Sequence, residues 1–257
     1  MEIGVQEFWG FLCVFARVTA LFVAAPVFGS RGVPIQAKAG LAALISLVLL
    51  PIVTPELGPA PRDLLSLIAQ IGAETLVGLS LGYLVVLIFA AIQTAGHFLD
   101  AQMGFSIINV LNPYTGHQSS VVEQLLHQLG MTLFLIFGGH LHLTAVLAGS
   151  YNLVSPAGAQ FQGDLAVAMI SIAGGLLVAA FRIAAPVAAI LLIVDVAFGI
   201  VARTVPQMNV FIVGLPIKIV AGLTTLGLAL PAFAIILQDQ LLPGLGAAAR
   251  AVLEAAR

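Results

Sequence analysis

The chain has 257 residues, of which 61% are hydrophobic and 8% charged, with a formal net charge of -2. A soluble globular domain carries roughly 25% charged residues, so this composition excludes that class and gives an integral membrane protein. The weakly acidic balance also argues against nucleic acid as a partner.

The opening residues, MEIGVQEF, hold two acids and no base, which predicts no cleavable signal peptide. Six apolar stretches follow in order, at about 5–28, 35–53, 64–95, 121–147, 165–201 and 210–242. Gly, Pro and Ser collect between them, in GSRGVP, TPELGPAPRD, SPAGAQFQGD and RTVPQMN. The expected fold is therefore all-α, with about six long helices that cross or line a membrane. A short Ala-rich tail, 243–257, is expected to be a weak surface helix or frayed.

A bilayer core needs about 20 helical residues, and three of the stretches (64–95, 165–201 and 210–242) are half as long again or more. At about 1.5 Å per residue they reach around 48–55 Å if straight. Pro186, Pro216 and Pro231 offer kinks in the last two. Tilting, bending or extension beyond lipid all fit, and each requires protein neighbours to cover the excess apolar surface.

Charges lie inside these runs: Arg17, Glu74, Arg182 and Asp195, with Lys218 a turn or two inside the last. A charge at the centre of a membrane helix costs about 2.5–3.5 kcal/mol, so these side chains must pair within the chain, pair with other subunits or line a wet path. Gly78 and Gly82 form a GxxxG, and Gly174–Gly175 and Gly222 are further small positions suited to close helix packing. Basic residues Arg31 and Lys38, then Arg203 and Lys218, mark the first and fifth loops as cytoplasmic and put both termini outside, although Arg62 and the two tail arginines run against this.

One stretch breaks the helical pattern. HFLDAQMGFSIINVLNPYTGHQSS, from His97 to Ser120, has no charge after Asp100 and carries Gly104, Asn109, Asn112, Pro113 and Gly116. Gly allows positive φ, and Pro113 removes a donor and restrains Asn112, so a continuous helix is not expected. Non-helical backbone at membrane depth is tolerated only where protein buries it or where it lines a wet cavity. This makes the segment of about 104–118 either a pore-lining element or an ordinary loop outside the membrane.

No metal, cofactor or catalytic set is expected. His140 and His142 are two apart and face different ways on a helix, while His97, His117 and His127 lack ligand spacing. There is no Walker A, dinucleotide or GxSxG pattern, and Cys13 sits alone in an apolar run. Asp195 and Arg203 lie about two turns apart on one helix face, before the Pro206–Asn209 break. A helical hairpin with a polar tip is expected there.

ARTVPQMNVFIVGLPIK, FARVTALFVAAPVFGSRGVPIQAKAGLA, HFLDAQMGFSIINVLNP and GGHLHL together resemble the FliR family of flagellar and type III secretion export-gate proteins. The motifs fall in the family's order and extend to about Leu242. The resemblance implies a non-enzymatic core subunit of the flagellar basal body in the bacterial inner membrane. It would assemble with FliP and FliQ, and with FlhB and FlhA, into a helical export gate for unfolded flagellar subunits.

It further implies a FliP-like part at 1–147, a FliQ-like hairpin at 148–242 and a tail at 243–257. Ile107 and Val110 would be the inward-pointing plug, with Gly104, Phe105, Asn109, Asn112, Pro113 and Gly116 around them. Relatives often carry Phe at the plug positions, and this chain has smaller aliphatic residues. An apolar constriction can exclude ions by dewetting and still deform around a polypeptide. The charged positions Arg17, Glu74, Asp100, Arg182, Asp195, Arg203 and Lys218 would be buried or would pair between subunits. The alternative is a proton-coupled small-solute transporter using Asp100, Glu74 or Asp195, which would be expected to show internal symmetry. A scaffold or insertion chaperone without a conduit is a third reading.

Overall fold

The computed structural model describes the chain except for residues 1, 30, 31, 33, 59, 62, 106–119, 157, 160–163, 208 and 257. The described residues form helices and turns, with no strand among them. In chain order these are α1 (Glu2–Ala24), the single turn α2 (Pro26–Gly29), α3 (Ile35–Val53), α4 (Leu64–Met103), α5 (Val121–Ile136), α6 (Gly139–Leu153), α7 (Asp164–Thr204), α8 (Val210–Ile236) and α9 (Leu242–Ala255). Among the described residues, five helical segments are long and apolar enough to cross a membrane, and up to six if α5 and α6 count together as one interrupted span.

Local chemistry sets the ends of these helices. Asp63 caps α4, accepting from the Ser66 amide at 2.9 Å and the Ser66 hydroxyl at 2.6 Å. The Asn209 side chain accepts from the Ile212 amide at the start of α8. Gly138 lies between α5 and α6 with φ +71, a left-handed conformation open to glycine. The expected 121–147 stretch is therefore two helices. The stretch expected to end at 95 continues helically to Met103, because nothing between them removes a donor or needs positive φ.

The tail differs more. Residues 242–255 form α9 after a π-helical turn at Leu237–Leu241. Leu245, Ala249, Val252 and Leu253 are buried, so the tail is neither frayed nor a weak surface helix. Its apolar residues recur at helical spacing and have a packing partner in α6.

The chain divides into two compact units, with α4 and α7 contributing to both. The first comprises 1–88, 138–174 and 242–257. There α1 packs on α3 and α9 on α6, over a core including Val14, Leu21, Leu81, Leu84, Leu143 and Leu147. Gly78 and Gly82 set the approach of α4 to α1. A Cβ at Gly78 would strike the Arg17 carbonyl and Ala20, and one at Gly82 would strike Ala24 and Leu21. The GxxxG spacing thus serves backbone-close packing.

The second unit comprises 89–137 and 175–241. Phe89, Ile92, Leu99 and Met103 of α4, Leu126 and Phe134 of α5, and Phe233 of α8 are buried in it. Phe89 packs against Phe134 and the His127 ring, both with centroids 5.6 Å away, and Phe98 meets Phe181 edge-on.

Much apolar surface remains uncovered. Leu44, Val48 and Ile52 of α3, Leu192, Ile193 and Val196 of α7, and Ile212, Val220 and Leu228 of α8 are all exposed. Lipid or protein neighbours must cover these faces.

Candidate functional site

The interrupted segment falls largely outside the described residues. Ile107, Val110, Asn109, Asn112, Pro113 and Gly116 are among those not described. The chain on either side of 106–119 is described, and it is built around Asp100.

Helix α4 ends in a Schellman arrangement. Gly104 takes φ +87, and the Phe105 amide bonds back to the Asp100 carbonyl at 3.1 Å. The Gly104 amide reaches the Ala101 and Asp100 carbonyls. A Cβ on Gly104 would meet the Leu215 side chain, and Met103 lies against Gly222, so α8 borders this terminus. Phe105 is half-buried.

The same residue holds the start of α5. Ser120 is the N-cap by position, yet its own side chain does not cap the helix. Instead the Asp100 carboxylate accepts from the Val122 amide at 3.1 Å, the Glu123 amide at 3.2 Å and the Ser120 hydroxyl. A carboxylate at a helix N-terminus satisfies otherwise orphan N–H donors and opposes the positive end of the helix dipole. Gly96, one turn before Asp100 on α4, makes the approach possible, since a Cβ there would collide with the Glu123 backbone. His97 Nδ1 stands 3.6 Å from the Glu123 carboxylate at the exposed edge.

Arg17 and Glu74 form a second polar centre in the first unit. Arg17 Nε donates to Glu74 Oε2 at 2.7 Å and Nη2 to Oε1 at 3.0 Å, in a bidentate pair with both side chains fully buried. Arg17 Nη1 donates to the Ser150 hydroxyl and Nη2 to the Val154 carbonyl, while Tyr151 lies under the guanidinium at 4.1 Å. One side chain of α1 thereby ties α4 to the C-terminal turn of α6, where a cation also suits the helix dipole.

In the second unit Lys218 Nζ lies 2.6 Å from Asp195 Oδ1, joining α7 to α8 across the hairpin. Arg182 donates to the Gln240 side chain at 3.3 Å, and Arg203 is exposed. Asp195 and Arg203 share a helix, but Asp195 is matched from the opposite helix. No group of three or more His, Cys, Asp or Glu side chains able to hold a metal occurs among the described residues. Ser120, Gly96, Ser150 and Tyr151 were not singled out in the sequence. Ser120, directly before an apolar run, carried an N-cap signal; the others depend on contacts between distant residues.

Long apolar helices, uncovered apolar faces and polar side chains matched within the interior define a polytopic helical membrane protein. The chain belongs to the bacterial export proteins, family 1, whose model matches residues 8–243. It is 38% identical over 218 residues to the flagellar biosynthetic protein FliR of Bacillus subtilis (strain 168), covering 84% of this chain and 83% of that protein. FliR of Pectobacterium carotovorum is 36% identical over 227 residues, covering 88% and 84%. The Yop proteins translocation protein T of Yersinia pestis is 30% identical over 161 residues, covering 61% and 60%.

Proposed function

We propose that this chain is the FliR-type core subunit of a flagellar type III export gate in the bacterial inner membrane. In this reading it assembles with FliP and FliQ, contacts FlhB and FlhA, and lets unfolded flagellar subunits pass. The observation that carries the proposal is the family match over 8–243, joined by FliR relatives aligned across more than four-fifths of the chain. Uncovered apolar faces on α3, α7 and α8 agree with a subunit whose neighbours are protein as well as lipid.

Within the gate, residues 1–147 form the FliP-like part, 148–242 the FliQ-like hairpin and 243–257 the tail. Ile107 and Val110 are the apolar constriction of the closed pore. Arg203, exposed at the hairpin tip, and Arg182 are available to neighbouring subunits. The role is structural and gating, without catalysis or cofactor. The transporter alternative gains no support. Glu74 is paired with Arg17, Asp195 with Lys218, and Asp100 is engaged in capping.

Complementation tests this directly. Expressed in a motile bacterium lacking its own FliR, the chain should restore secretion of flagellar subunits and swimming, and should co-purify with FliP and FliQ. Accumulation in the membrane without co-purification and without secretion would contradict it.

A further inference from the structure

We propose that Asp100 is the positioning residue that fastens both ends of the 106–119 segment. Its main-chain carbonyl accepts from the Phe105 amide, closing α4 at the point where the segment begins. Its side chain accepts from Ser120, Val122 and Glu123, fixing the first turn of α5 where the segment returns. Departure and return are thus referred to one residue, 3% exposed and set in a helix. Gly96 keeps the two backbones close enough for that reach. Ser120 does not cap α5 with its own side chain, so among the described residues the Asp100 carboxylate is the side chain that holds this first turn. The consequence for gating rests on the plug reading above; the anchoring itself does not.

The test uses the full-length chain in native membranes with its export partners, carrying Thr115→Cys as the probe. Cys13 is fully buried and stays silent to maleimide. Loss of a helix cap shifts a local equilibrium by about tenfold, so Asp100→Ala should label Cys at 115 roughly five to ten times faster than the Asp100 parent. Asp100→Asn retains one acceptor oxygen where Val122 and Glu123 use two, and should label at a rate between the parent and Asp100→Ala. Ser120→Ala removes only the hydroxyl bond and should raise the rate about twofold. Rates are compared at equal amounts of assembled complex, so a general loss of folding does not imitate the result. Should Asp100→Ala fail to accumulate, Ser120→Ala decides: a rate equal to the parent overturns the proposal.

Ion leakage, measured beside a deletion of 107–110, separates the two claims. Unchanged labelling in all three variants, with a leaking deletion, overturns the anchor and leaves the plug. Faster labelling in Asp100→Ala, with no leakage even from the deletion, supports the anchor and overturns the plug.

Discussion

Arg17 and Glu74, 57 residues apart in sequence, meet as a bidentate ion pair at 2.7 and 3.0 Å with no solvent exposure on either side chain. Removing one partner leaves the other charge buried and unmatched, which in comparable buried pairs is destabilising by about 3–5 kcal/mol. Arg17→Met and Glu74→Leu should each sharply reduce the folded protein recovered from membranes. The double variant should recover much of the loss, since apolar pairs often replace buried ion pairs without penalty. Equal damage in single and double variants would show that Ser150, Val154 and Tyr151 need the guanidinium more than Glu74 does.

Gly78 sits where α4 touches the backbone of α1. Gly78→Val should force the helices apart and destabilise the first unit by about 1–3 kcal/mol or more, as overpacking does. Gly72, earlier on the same helix with nothing near its Cβ direction, should accept Ala without loss. Thermal stability of the two purified variants makes the comparison.

Lys218 and Asp195 are less enclosed than the Arg17 pair, with 19% and 40% of their side chains uncovered, on helices long and apolar enough to cross a membrane. Away from water, removing one partner leaves the other charge unmatched, which costs more than the loss of a surface pair. Asp195→Asn should therefore lower the protein recovered from membranes, and adding Lys218→Gln should restore part of it. An export defect at normal protein level would assign the residue to a neighbouring subunit as well.

Hydrogen bonds from the Ser66 hydroxyl, and then from its amide, hold the Asp63 carboxyl below the ordinary carboxylate range. A depressed folded-state value contributes stability above the ordinary range, and that stability is lost as pH falls through the lowered value. Hydrogen exchange at the first amides of α4 should keep constant protection, after correction for intrinsic rates, down to the ordinary carboxylate range and lose it below. Asp63→Asn should show no such step.

Membrane character, long helices and the end of the fourth one near Gly104 were legible in the sequence because each rests on local composition. Arg17 and Glu74 stood out as charges inside apolar runs, while Asp100 joined them only through the family resemblance. Their partners were not legible, since pairing depends on which helices pack together. The break at Gly138 could have been suspected from the Gly138–Gly139 pair, but one apolar run through both helices masked it. The tail was misjudged for a different reason. Alanine-rich composition suggested weakness, while the buried spacing of Leu245, Ala249, Val252 and Leu253 has meaning only with α6 beside it. Asp100 presents the same problem most sharply: its cap serves a helix whose first residue lies 21 positions later, at Val121.

In the proposed function the 107–110 segment closes the conduit of an export gate. The most direct test is ion leakage and flagellar secretion in cells whose only FliR-type protein carries a deletion of residues 107–110. Increased leakage with altered secretion, at unchanged complex assembly, is the predicted result. Normal assembly with flat leakage and normal secretion would contradict it and reduce the segment to a connector.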